Sequence, residues 1–274
     1  MPARPVKAQR NTANLFDAAG SYATYVIAVA DAELRKLRHD PWELFSRAIQ
    51  PLLWLVLFGE VMAQVRGLSA GTGRYIDYLA PGILAQSVLF VSIFYGISAI
   101  WERDLGVLHR YMVSPAPRSA LVIGKAISSS ARALSQALVV YLCAAGLGVA
   151  LSLAPSHILA VILLIALGSG LFSTFSLIIA CIVKTRERFM GIGQVLTMPI
   201  FFASNAIYPL SLMPGWLKAV SSFNPLTYEV DGLRAMMLSG HASVFGLGFD
   251  FAALAVTQAL LIAVATFFYP RLTE

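Results

Sequence analysis

An all-α polytopic membrane protein with six transmembrane helices is the fold class this sequence predicts, and three observations carry that reading. Six apolar runs, at about 48–65, 78–101, 131–153, 157–183, 189–208 and 249–269, take up most of the chain. A helix rising about 1.5 Å per residue needs about 20 mostly apolar residues to cross a bilayer core, and all but the first run reach that length. The composition agrees: 58% of the 274 residues are hydrophobic and 12% charged, with a mean hydropathy of +0.74. That leaves little chain for a water-soluble domain. Third, basic residues are skewed to one side. With the N-terminus inside, fifteen of the twenty Lys and Arg fall at inner ends; Arg66, Arg74, Lys218 and Arg234 are outside, and Arg132 sits near the inner end of the third run. The positive-inside bias then places both termini in the cytoplasm and explains the net charge of +6 without nucleic acid.

Residues 1–21 are polar and Ala-rich and read as a mobile cytoplasmic tail, with no cleavable signal. Residues 22–274 form one membrane domain. Over 22–40, Tyr22, Tyr25, Val26, Val29 and Leu37 share a helical stripe opposite Asp31, Arg35 and Arg38. This predicts an amphipathic helix on the inner headgroups, ended by Pro41 and anchored by Trp42. The first run opens near Pro51 and carries Glu60 at its outer end, near headgroups or facing another helix. In the second run Gln86, Phe90, Phe94, Ile97 and Trp101 recur at helical spacing on one face. Ala154, Pro155 and Ser156 join the third and fourth runs, which predicts an antiparallel hairpin. Gly168 and Gly170, with Ser169, Ser173, Thr174 and Ser176, give the fourth a small-residue surface for close packing.

In the fifth run Gln194, Thr197, Met198, Phe201 and Asn205 share a stripe, and Pro199 kinks the helix. Amides amid Phe and Met suit an amphipathic cargo; they equally suit ordinary hydrogen bonding between helices. From Pro209 to about Asp250 the chain is too polar to cross yet studded with apolar side chains. It reads as short helices half sunk in the outer leaflet, with Asn224 an N-cap, Pro225 the first helical residue and Gly240 a stop. Asp231 and Arg234, three apart, predict a surface ion pair or a gate element. Lys184 to Arg188 is an inner loop facing headgroups.

Other chemistries lack their residues. Cys143 and Cys181 sit within apolar runs as packing residues, and His39, His109, His157 and His241 are too scattered for a metal site. No acid, nucleophile or metal cluster lies at depth, as an intramembrane enzyme requires. Gly124-Lys125 is followed by Ala126, so the phosphate-cradling pattern of a nucleotide site is absent. The runs show no inverted repeat, and Glu60 and Arg132 lie near span ends, which disfavours a secondary transporter or channel.

Two motifs rise above composition. The inner stretch Trp101-Glu102-Arg103-Asp104-Leu105-Gly106-Val107-Leu108-His109-Arg110-Tyr111-Met112-Val113-Ser114-Pro115 is charged and then broken by proline. The outer stretch Asn224-Pro225-Leu226-Thr227-Tyr228-Glu229-Val230-Asp231-Gly232-Leu233-Arg234 precedes the last run. In this sidedness, over nearly the whole chain, they resemble the permease subunits of type-2 ATP-binding-cassette (ABC) exporters, in particular the daunorubicin-resistance and nodulation-factor-export branch. The resemblance implies a non-enzymatic permease of the inner (plasma) membrane that exports an amphipathic, lipid-linked, glycan or drug-like molecule. It implies ABC ATPase subunits as partners, with ATP and Mg2+ bound there and no cofactor on this chain, and a second permease copy or paralogue. It makes Glu102, Arg103, Asp104, Gly106, Leu108, Arg110, Ser114 and Pro115 contact or hinge positions of an ATPase-coupling loop. The second and fifth runs would flank the substrate path, through Gln86, Phe90, Phe94, Gln194, Thr197, Met198, Phe201 and Asn205, and the first and fifth would meet the second copy. Asn224, Pro225, Thr227, Tyr228, Asp231 and Arg234 make up the family's outer segment.

Overall fold

The computed structural model describes residues 22–27, 31, 49–59, 61, 74–106, 117–183 and 185–269. The tail at 1–21, most of the expected interfacial helix, Glu60 and residues 107–116 lie outside the described residues. Residues 22–27 are helical, and the Tyr22 hydroxyl bonds Ser119 at 3.2 Å. The longer elements are α1 (Ile49–Phe58), α2 (Tyr75–Tyr95), α3 (Ile97–Asp104), α4 (Arg118–Gly146), α5 (Pro155–Ile182), α6 (Arg186–Phe202), α7 (Gly215–Phe223), α8 (Pro225–Met237) and α9 (Leu247–Phe268). Among the described residues there is no strand, only one antiparallel bridge between Leu151 and Leu238.

Among the described residues three helices are long and apolar enough to cross a membrane: α2 with α3 (Tyr75–Asp104), α5 and α9. α4 matches them in length but carries Lys125, Arg132, Gln136 and several serines, and α6 has 17 residues. The surface agrees with a lipid solvent. Phe249, Val256, Leu260, Val264 and Phe267 on α9, and Ile158, Leu159, Ile162 and Leu163 on α5, are all exposed. Apolar surface on that scale is hidden by hydrocarbon or by a partner, not by water.

α2 is the central helix, since of its 21 residues only Asp77, Phe90 and Phe94 are not buried. α4, α5, α6 and α8 pack around it. Small residues permit the closeness. The Ser92 hydroxyl donates to Ser169 at 2.9 Å, and Ser129 lies 3.0 Å from Ser169, so α2, α4 and α5 meet through hydroxyls. At Gly82, an added Cβ would fall on the carbonyl oxygen of Ala206. At Gly168 it would fall on the Glu229 carboxyl, which is fully buried against that glycine. Burial pushes the pKa of this acid well above the usual carboxylate range.

Three expectations change. The third run is not a helix over 131–153: α4 starts at Arg118 and stops at Gly146. The link to α5 therefore covers 147–154 rather than three residues. Gly148, at φ +74°, turns the chain there, and the strip that follows is apolar because Val149 is buried, not because it is helical. Polar groups pin the strip: Arg74 donates to the carbonyls of Leu147 and Gly148, and Ala150 N–H donates to Asp77. The fifth run is shorter than expected, because α6 ends at Phe202 and the chain then turns through 203–208. Finally, α7 exposes Trp216, Val220 and Phe223 as a half-sunk helix would, but α8 does not. Leu226, Val230, Leu233 and Met237 put α8 in the main core, against α2, α5 and α9.

Replacing Gly82 by Ala should overpack the contact with Ala206 and cost about 1–3 kcal/mol, read as a lower melting temperature of the purified protein. Gly191→Ala on α6, where nothing lies within 4 Å of the added atom, should be neutral or stabilising by helix propensity. Equal melting shifts for the two would contradict the packing described.

Candidate functional site

A cavity of about 450 Å³ opens beside α2. Gln86, Ser87, Phe90, Val91 and Phe94 of α2, with Ile97 of α3, form one wall. Gln50 and Pro51 of α1, Gln136 of α4, and Met190 and Gln194 of α6 complete it. The wall follows the 3.6-residue period of a continuous helix, which brings Gln86, Phe90, Phe94 and Ile97 to one face. Phe90 and Phe94 stand with ring centroids 6.1 Å apart, and Phe94 also lies against Gly193 of α6. Gln86 is 3% exposed, and neither atom of its amide has a hydrogen-bond partner in the protein.

Of the residues predicted to form a path, Gln86, Phe90, Phe94 and Gln194 line this cavity. Thr197, Met198, Phe201 and Asn205 do not. Thr197 is buried and donates to the Gly193 carbonyl of its own helix. Phe201 is fully buried, edge-on to Trp54 of α1 at 6.3 Å. Asn205 lies beyond the end of α6, so the stripe that sequence spacing draws has no helix under its last residue. Sequence reading missed Gln50, Gln136 and Met190. A lone Gln within the apolar third run was a usable signal for Gln136; which helices would be neighbours was not written locally.

At the end of the bundle where α3 stops, a charged clamp forms. Glu102 accepts a 2.7 Å bond from Lys125 of α4, both side chains 6% exposed. Asp104 is shared by its neighbour Arg103 at 3.0 Å and by Arg186 of α6 at 2.8 Å, and Arg186 stacks over Trp101 at 4.1 Å. Gly106 follows α3 at φ +71°, with its N–H on the Arg103 carbonyl. Glu102 is thus turned into the protein, whereas Trp101 and Leu105 are exposed beside it. Leu108, Arg110, Ser114 and Pro115 lie outside the described residues.

The opposite end holds the outer motif. Asn224 caps α8 through Leu226 N–H at 3.1 Å, Pro225 is its first residue, and the Asn224 amide donates to the Ile200 carbonyl of α6. Thr227 pairs with Ser221 of α7 at 3.0 Å. Tyr228 donates to the Ser222 carbonyl and packs edge-on against Phe245 and Phe249. Asp231 and Arg234 are not a surface pair, because each is buried and engaged elsewhere. Asp231 accepts from the N–H groups of Val244 and Phe245 and from Ser243, whose hydroxyl also reaches Asp250 at 2.7 Å. Arg234 lies over the Tyr78 ring at 3.8 Å and donates to the Asn205 carbonyl at 2.9 Å. This motif is a structural joint among α2, α6, α7, α8 and α9.

Among the described residues no group of three His, Cys, Asp or Glu is placed to hold a metal.

A family model described as ABC-2 type transporter matches residues 24–238. The chain is 32% identical over 210 residues to a protein of Cyanophora paradoxa named a transport permease, ycf38, covering 76% of this chain and 71% of that one. It is 24% identical to the daunorubicin resistance ABC transporter permease protein DrrB1 of Streptomyces coeruleorubidus, over 77% of this chain and 74% of the relative. To Nodulation protein J of Rhizobium leguminosarum bv. trifolii it is 25% identical, over 73% and 76%.

Breaking the buried clamp by Lys125→Met should cost about 3–5 kcal/mol, because the buried Glu102 charge loses its 2.7 Å bond to Lys125. The double change Lys125→Met with Glu102→Leu should recover most of it. Melting temperatures and folded yield of the two variants check this; a double variant no better than the single one would mean the pair is not the unit described.

Proposed function

The chain belongs to the family of ABC-2 type transporters, and from that premise we propose that it is the membrane-spanning permease subunit of an ATP-driven exporter, carrying an amphipathic, lipid-linked, glycan or drug-like molecule out of the cytoplasm. Six segments cross the cell (inner) membrane in this reading: α1, α2 with α3, α4, α5, α6 and α9. Both termini and the clamp end face the cytoplasm. The basic residues Arg103, Arg118, Lys125, Arg186 and Arg188 at that end support the orientation. ATP and Mg2+ belong to separate ABC ATPase subunits, and a second permease copy or paralogue completes the transporter across the exposed faces of α1 and α6.

The observation that carries the reading is that cavity and clamp share one helical rod. Phe94 and Ile97 in the cavity wall lie about two turns from Glu102 and Asp104. The exposed Trp101 and Leu105 and the loop that follows are where a soluble ATPase would push. Displacement there tilts α3 and with it the wall, so that cargo is exposed alternately inward and outward. Arg103, Asp104 and Gly106 act as hinge and contact positions. Glu102, held by Lys125, stiffens the rod rather than touching the partner.

The test is affinity purification of the tagged chain from its own membrane, which should bring down an ABC ATPase, followed by reconstituted export that needs ATP. At Gly106 an added Cβ meets nothing within 4 Å, so Gly106→Val acts chiefly through the backbone. It does force a β-branched residue to φ +71°, a strain of about 1–2 kcal/mol. The complex should persist while transport per ATP hydrolysed falls about tenfold, the factor that 1.4 kcal/mol represents. Export that continues with every ATPase partner removed would return the chain to the class of transporters and channels that work without ATP.

A further inference from the structure

We infer that the cavity selects an uncharged, hydrogen-bonding cargo moiety, such as a glycan, polyol or polyketide-like segment, and rejects formal charge; this rests on the reading of the cavity as the cargo path. Gln86 is the key. It lies eleven residues into α2, about 16 Å along the rod and so near mid-membrane. A buried polar group left unpaired forfeits the hydrogen bonds it had with water. Both ends of this buried amide are unpaired in the protein, and Gln86 lines a cavity whose volume falls within the range of small-molecule sites, about 300–1,000 Å³. Its partner therefore comes from outside this chain.

The lining says what kind of partner. Gln50, Gln136 and Gln194 bring amides from three other helices to the same space, and none of the described lining residues is charged. An amide both donates and accepts, which matches hydroxyl, carbonyl and amide groups. An ion has no counter-charge here. The nearest cations toward the clamp are already engaged, Lys125 with Glu102 at 2.7 Å and Arg132 over the Tyr95 ring at 5.4 Å. Moving an unpaired charge into such a site costs several kcal/mol, whereas a hydroxyl that finds an amide costs little. Phe90, Phe94, Ile97 and Met190 offer an apolar surface beside the amides, so the accepted cargo is amphipathic but neutral.

The experiment uses the full-length chain in lipid nanodiscs with three photoreactive probes of equal chain length: an alkyl glucoside, an alkyl phosphate and an alkyl trimethylammonium. Sites of labelling are mapped by mass spectrometry. The glucoside should label segments 86–97 and 190–194 at least about tenfold more than either charged probe. Gln86→Leu should cut that labelling about tenfold while the melting temperature holds or rises, because an unpaired buried amide has been removed. Gln86→Glu should turn the preference toward the cationic probe. A charged probe favoured by the unaltered cavity, or a lower melting temperature for Gln86→Leu, overturns the proposal while leaving the path in place. High-yield disulfide formation between two copies of Gln86→Cys overturns it in favour of a second subunit as the amide's partner. Labelling outside the cavity by all three probes sinks both this proposal and the path.

Discussion

Arg234 sets the terms for the rest of the bundle. A guanidinium buried among helices that face lipid cannot borrow water, so its positive charge and its donors must be met by the protein. Here the Tyr78 ring lies under the charge and the Asn205 carbonyl takes one of the donors. The same turn is gripped from α2, where Tyr75 donates to the Ile207 carbonyl and Tyr78 to that of Asn205. Together these bonds take up carbonyls of the turn that follows α6 and tie that turn to α2 and α8. The cavity is the gap that α2 and α6 leave further along, so its width is set at the knot.

The same rule of internal satisfaction explains why small and polar residues are concentrated where helices cross. At Gly96, between α2 and α3, the Ser176 hydroxyl of α5 and the Phe189 ring of α6 occupy the space a side chain would take, and Ser176 donates to the Ile93 carbonyl freed at that turn. The rod from cavity to clamp is therefore held from two sides at Gly96. Small residues let the backbones approach, and hydroxyls then cover the polar groups that the approach exposes. Gln86, by contrast, pairs neither atom of its amide and lines the cavity.

How far the sequence could be read depended on whether one helix carried the information. Gln86, Phe90 and Phe94 were legible as one face because a single uninterrupted helix holds them. The run from Gln194 to Asn205 obeys the same spacing, yet only Gln194 reaches the cavity, since Trp54 of another helix covers Phe201 and the helix ends before Asn205. Asn224 and Pro225 were legible as a helix start, because capping is a local bond. Asp231 and Arg234 were not, because the segment around Ser243 and Val244 folds back to take one, and the turn after α6 takes the other. Glu102 found its partner in Lys125, 23 residues along the chain and on another helix.

Apolar content and helical periodicity were enough, by themselves, to indicate a helical membrane protein, and the two motifs carried its resemblance to the ABC-2 type transporter family, to which the chain belongs. Those properties are local or additive: transfer free energy sums along a run, and a cap or a stripe needs only its own few residues. The cavity, the buried ion pair and the joint at Arg234 were decided by tertiary structure. Each needs side chains from helices far apart in sequence, and which faces meet is settled by close packing and by the search of every buried polar group for a partner.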